Sequence, residues 1–178
     1  LKACTTANSN TAVGQLAASA LTTGWACIAI GDQAMGAGVV TGNSNNCVGY
    51  QAGDGITTTA GTISIGAAAL GGITTTGDYT IAIGYGAMGG AEVGDGNIAI
   101  GYQSMQNANS AGLHRNIAIG YQTMANVGSN GPDDNIAMGY TALNDITTGG
   151  YNVGIGSYVL ENLTTNQFWL LGKKKGRI

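Results

Sequence analysis

Large apolar residues alternate with very small ones at a fixed beat along this chain. The stretches "TIAIG", "NIAIG" (twice) and "NIAMG" close on Gly84, Gly101, Gly120 and Gly139. The same closing glycine occurs at Gly14, Gly31, Gly49, Gly66 and Gly156, and successive spacings are 17, 18, 17, 18, 17, 19, 19 and 17. One residue before it stand Val13, Ile30, Val48, Ile65, Ile83, Ile100, Ile119, Met138 and Ile155. Three before it stand Thr11, Ile28, Asn46, Ile63, Ile81, Ile98, Ile117, Ile136 and Val153. Branched residues at alternate positions predict a strand with one face buried. On this reading Ile30, Ile65, Ile81, Ile83, Ile98, Ile100, Ile117 and Ile119 fill the core.

Between these two columns lie only Ala, Cys, Ser and Gly, including Ala82, Ala99, Ala118 and Ala137. A solvated strand face ordinarily carries polar residues. The small column therefore predicts close packing, and the reading favoured is against a neighbouring chain, with Ala82, Ala99, Ala118 and Ala137 as the contact points. The alternative is crowding inside the coil itself.

After each glycine the chain is expected to turn into a second short strand. It has an Ala column (Ala17, Ala34, Ala52, Ala69, Ala87) followed by bulky Met35, Leu70, Met88, Met105, Met124 and Leu143. Two strand segments in 17 to 19 residues make one turn of an all-β parallel β-solenoid, or β-roll. Nine such units fill residues 1–165. Residues 166–178, with "NQFWLLG", read as a degenerate last coil that caps the stack or joins it to a further segment. At ~4.8 Å per coil the rod is roughly 40 Å long.

The columns in "NIAIGYQSM", "NIAIGYQTM", "NIAMGYTAL", "TIAIGYGAM" and "NTAVGQLAA" resemble the YadA-like head repeat of trimeric autotransporter adhesins and of tail-fibre arrays. The resemblance covers nearly the whole chain. It implies a left-handed parallel roll packed as a homotrimer, with Ile and Val inside each roll and the small column near the neighbouring chain. The repeat here carries a longer loop than the adhesin form, and its "GYQ" is nearer to tail-fibre arrays.

Composition narrows the function. The chain has 32 Gly, 1 Pro and 8% charged residues in 178, with 44% apolar content. Neither disorder nor collagen fits these values, and no apolar run is long enough to span a membrane as a helix. Four of the six basic residues lie in the last six positions; residues 1–172 carry two basic and nine acidic groups, a net of −7, which disfavours nucleic acid. The chain starts at Leu1, which suggests a fragment or a processed product.

Candidate chemistry is sparse. His114 is the lone histidine, read as lying in an exposed loop, so neither a metal centre nor a catalytic base is expected. Cys4, Cys27 and Cys47 read as small packing residues rather than a disulfide framework. The aspartates read as holding no common column, which argues against a calcium roll. A Tyr column follows the anchor glycine (Tyr50, Tyr85, Tyr102, Tyr121, Tyr140), with Gln51, Gln103 and Gln122 beside it. It reads first as inter-coil stacking and second as a sugar-binding strip. The longer loops at 106–115 and 125–134 hold His114, Arg115, Asp133 and Asp134 and are candidate lateral contacts.

These readings converge on a non-enzymatic shaft or head segment of a fibre, free of cofactors. It would lie outside the cell or on a virion surface, trimeric, joined to neighbouring fibre segments and touching a surface glycan or protein receptor. The rival reading is an ice-binding solenoid using Thr6, Thr23, Thr41, Thr58, Thr76 and Thr148, interrupted at Val93, Gly112 and Gly131.

Overall fold

The computed structural model describes residues 5–72, 77–90, 92–108, 113–128 and 132–163, and the backbone of 169–171. Strands of three residues recur once per coil: β1 (Thr11–Val13), β2 (Ile28–Ile30), β3 (Asn46–Val48), β4 (Ile63–Ile65) and β5 (Ile81–Ile83). They continue as β6 (Ile98–Ile100), β7 (Ile117–Ile119), β8 (Ile136–Met138), β9 (Val153–Ile155) and β10 (Trp169–Leu171). They form one ten-stranded sheet in sequence order. Every pairing is parallel, and the repeat columns align in register, as in Ala82↔Ala99 and Ala118↔Ala137. The fold is an all-β parallel solenoid. β10 pairs with β9, so the tail adds one more rung to the stack. Ten rungs at ~4.8 Å span about 43 Å.

The faces of the strand are the reverse of the sequence expectation. Ala82, Ala99, Ala118 and Ala137 are fully buried by their own chain. They face the lumen of the coil and are not contacts between chains. The Ile columns point outward: Ile30 is 39% and Ile65 41% exposed, and Ile81, Ile83, Ile98, Ile100, Ile117 and Ile119 are half-buried. The cause is the width of the lumen. A Cβ added at Gly154 would run into Leu143 Cδ1 and approach Val159 Cγ1 to 3.2 Å. The strand's inward side chain therefore already touches the opposite wall. Only Ala, Cys, Ser or Gly leaves room for the long Met35, Leu70, Met88, Met105, Met124 and Leu143, all fully buried.

A third core column completes the interior: Leu21, Val40, Ile56, Val93, Leu113 and Ile146, each fully buried. Counting back from the anchor glycine hides it, because the loops differ in length. Val93 thereby leaves the surface Thr series and joins the core.

The expected second strand is instead a run of turns. Among the described residues of the coil anchored at Gly120, four have positive φ: Arg115 (56°), Gly120 (139°), Gln122 (48°) and Met124 (51°). The left-handed region costs an L-residue about 1–2 kcal/mol, and Gln, Met and Leu, none of them branched at Cβ, take about half of the non-glycine positions there. Inter-coil hydrogen bonds offset that cost and run in both directions. Gln122 N–H donates to Tyr102 O of the preceding coil (2.9 Å), and Met124 N–H to Ala142 O of the following one (3.1 Å). The anchor position admits only glycine, since a Cβ on Gly101 would collide with the carbonyl of Gly120 in the next coil.

Candidate functional site

Two surfaces on the described residues are built with enough order to recognise something. The first is the outward face of the sheet. Two parallel columns of Ile and Val climb it, broken only by Thr11 and Asn46 in one column and by the apolar Met138 in the other. Alternate residues of a strand are ~6.6 Å apart, so the stripe over ~43 Å covers roughly 300 Å². A monomer's largest exposed apolar patch is commonly about 300–600 Å² and often functional.

The second surface is the aromatic column. Tyr85, Tyr102, Tyr121 and Tyr140 stack with centroid spacings of 5.4, 5.0 and 5.0 Å and interplanar angles of 11° or less. Tyr158 continues the column, tilted by 59°. Tyr102 and Tyr121 each have both ring faces occupied by a neighbour, and Tyr140 lies between Tyr121 and the tilted Tyr158. The column interior presents edges and hydroxyls, so stacking between coils accounts for it and a sugar cannot lie flat on those rings. Beside it, Gln122 Nε2 donates to Gln103 Oε1 (2.9 Å) and Gln51 Nε2 to Gln33 Oε1 (3.2 Å).

The polar candidates are tied into the coil. Asp78, Asp95, His114 and Asp133 all stand six residues before the anchor glycine, so the aspartates do share a column. Each side chain accepts a backbone N–H from the coil before. Ala60 donates to Asp78 Oδ1 (2.8 Å), Asp78 to Asp95 Oδ1 (2.9 Å), Asp95 to His114 Nδ1 (2.8 Å) and His114 to Asp133 Oδ1 (2.7 Å). A backbone N–H can only donate, so His114 Nδ1 takes the acceptor's place that the aspartates fill in the other coils. Arg115 grips Asp134 with two bonds, Nε to Oδ1 (2.7 Å) and Nη2 to Oδ2 (2.9 Å), and approaches Asp133 at 3.5 Å. The Arg115 guanidinium holds the Asp134 carboxyl below the usual aspartate range. No cluster of three potential metal ligands occurs among the described residues.

One ladder escaped the sequence reading altogether. Asn97, Asn116, Asn135 and Asn152, four before the anchor, are fully buried. Asn116 Oδ1 accepts both the backbone N–H (2.9 Å) and the Nδ2 (3.0 Å) of Asn135, and Asn135 Oδ1 does the same for Asn152 at 2.9 Å each. The recurring "N" of "NIAIG" was its signal.

No protein-family model, curated protein or solved structure matches the chain. Its recognition surfaces therefore rest on their own geometry.

Cys27 and Cys47 are buried free thiols. Cys47 takes the Ala column, as its small size requires, and burial pushes its thiol well above the ordinary range. Thr6, Thr23, Thr41, Thr58 and Thr148 are exposed. With Val93 in the core, these hydroxyls form no continuous plane. Thr76, Gly112, Gly131, Cys4, Phe168, the terminal lysines and the tips of both long loops lie outside the described residues.

Proposed function

We propose that this chain is a non-enzymatic shaft or head segment of an extracellular or virion fibre, assembled as a homotrimer through its outward Ile and Val columns. The observation that carries the reading is that branched apolar face, half-exposed from β2 to β9. A partner covering its full height must itself offer apolar groups every ~4.8 Å. A copy of this chain in parallel register does so by construction. The resemblance of the repeat to YadA-like and tail-fibre arrays supports threefold rather than twofold association. The Tyr stack, on the turn segment beyond the glycine, supports a stiff rod. Contact with a host surface and with neighbouring fibre segments follows from that role.

Molecular mass in solution tests the assembly. Light scattering on the purified chain is expected to give three times the 17.7 kDa chain mass. A monomer at concentrations where Ile98→Lys behaves identically would overturn it.

A further inference from the structure

The Tyr and Gln ladders fail together at one level of the rod, and the failure leaves a groove. Where the coils of Gly49, Gly101 and Gly120 place Tyr and Gln after the anchor, the coil of Gly66 has Ala67 and Ala68, and the coil of Gly84 has Tyr85 and Gly86. The turn beyond is equally bare, with Gly71 and Gly72 in one coil and Gly89 and Gly90 in the next. The resulting groove encloses about 440 Å³, within the roughly 300–1,000 Å³ of small-molecule sites. Its floor is Ala68 and these glycines; Gln51 and Asp54 close one end, and Gln106 and Asn107 the other. Tyr85 forms a side wall.

Tyr85 differs from the rest of its column. Tyr102 covers one face of its ring, while the column position on the other side is Ala67. Accordingly it is 56% exposed, against 43% for Tyr102. Ala67 leaves both Tyr50 and Tyr85 without a ring neighbour on one side, but only Tyr85 borders the cleft, which is walled by three amides and a carboxylate.

We propose that this groove binds a neutral pyranose sugar. The apolar face of the sugar ring packs on Tyr85, and its hydroxyls bond to the side chains of Gln51, Asp54, Gln106 and Asn107. Each part of the chemistry selects that class. An aromatic face takes a flat array of C–H groups. Planar amides both donate and accept, and a carboxylate accepts two hydroxyl protons. No Lys, Arg or His lines the groove, so nothing there offsets the charge of an anionic sugar beside Asp54. All lining residues belong to turns, not strands, so association through the Ile face leaves the groove open. The inference therefore does not depend on the trimer.

The repeat itself supplies the test. Gln already occupies the column of Ala68 and Gly86 at positive φ in Gln51, Gln103 and Gln122. A Cβ on Gly86 would meet only Gln103 Cγ at 3.5 Å and Gln106 Nε2 at 3.6 Å. Ala68→Gln and Gly86→Gln therefore refill the groove without a steric clash, and Gly86→Gln takes on only the left-handed backbone that Gln51, Gln103 and Gln122 already adopt. Galactose, glucose and N-acetylglucosamine would be titrated up to about 20 mM by NMR, the weak-affinity range for a single ring. Saturable shifts of the Tyr85 ring signals and of the Gln106 and Asn107 side-chain amides by at least one sugar are expected, the amides serving as the readout in Tyr85→Ala. Tyr85→Ala and the double Gln variant should each weaken binding at least tenfold, and Tyr121→Ala should leave it unchanged. Absence of saturable binding by all three sugars, or equal binding by the double Gln variant, overturns the proposal. So does tighter binding of sialic acid than of any neutral sugar.

Discussion

At the scale of single residues, what holds this chain together is tolerance of unusual backbone. Thr141 shows where the tolerance is strained. It is β-branched, sits at φ 50°, and has a buried hydroxyl with no partner. The matching position in the two preceding coils is Gln103 and Gln122, joined side chain to side chain. Thr141→Gln removes a β-branched residue from the left-handed region and an orphaned hydroxyl, and extends the amide ladder. It should stabilise the protein by about 1 kcal/mol, read by chemical denaturation. The buried thiols give a pH-dependent counterpart. Burial raises the Cys27 and Cys47 thiols above the ordinary 9.0. The unfolded chain therefore loses these protons first, and their effect is to lower stability as pH rises above 9.0. Native protein at pH 8 should react with a thiol reagent at Cys27 and Cys47 only at the rate of unfolding. Stability measured between pH 8 and 10 should fall less once both are replaced by Ala.

Elements show what the sequence makes legible and where it stops. The period of 17 to 19, the strand at each "xIAI", the anchor glycine and the buried Met and Leu column all follow from spacing. Alternation tells which residues share a face, but not which face looks into the coil. Here the distance to the opposite wall decides, and Ala99 and Ala118 face Met-filled space while Ile98 and Ile117 look out. The Leu21, Val40 and Ile56 column was hidden for a different reason: variable loops shift it against the anchor. The groove at Tyr85 was likewise invisible, because it arises from what two coils lack. One contrast tests the inverted face. Ala118→Leu overfills the lumen and should destabilise the fold by about 1–3 kcal/mol or more. Ile117→Lys should cost far less in the isolated coil yet abolish self-association, as size-exclusion chromatography would reveal. The opposite pattern would restore the small column as the contact between chains.

On the scale of the whole molecule, the ten rungs form one continuous structure in which each coil touches only the coils before and after it. In the proposed trimer, association along the Ile face would couple all rungs to the neighbouring copies at once. Midpoint temperature should therefore rise with protein concentration by mass action, and Ile98→Lys should erase that dependence while keeping the monomer's unfolding transition. Differential scanning calorimetry over a range of concentrations separates the two behaviours. A concentration-independent midpoint in the parent chain would leave the apolar face without a partner of its own kind.

The left-handed residues carry one more consequence, for synthesis rather than biology. Ala18 (φ 50°) and Ala68 (φ 55°) adopt backbone angles that a mirror-image amino acid prefers. A chemically assembled chain with D-alanine at both sites should fold as before and resist unfolding better. The same replacement at Ala99, in the middle of a strand, should do the opposite.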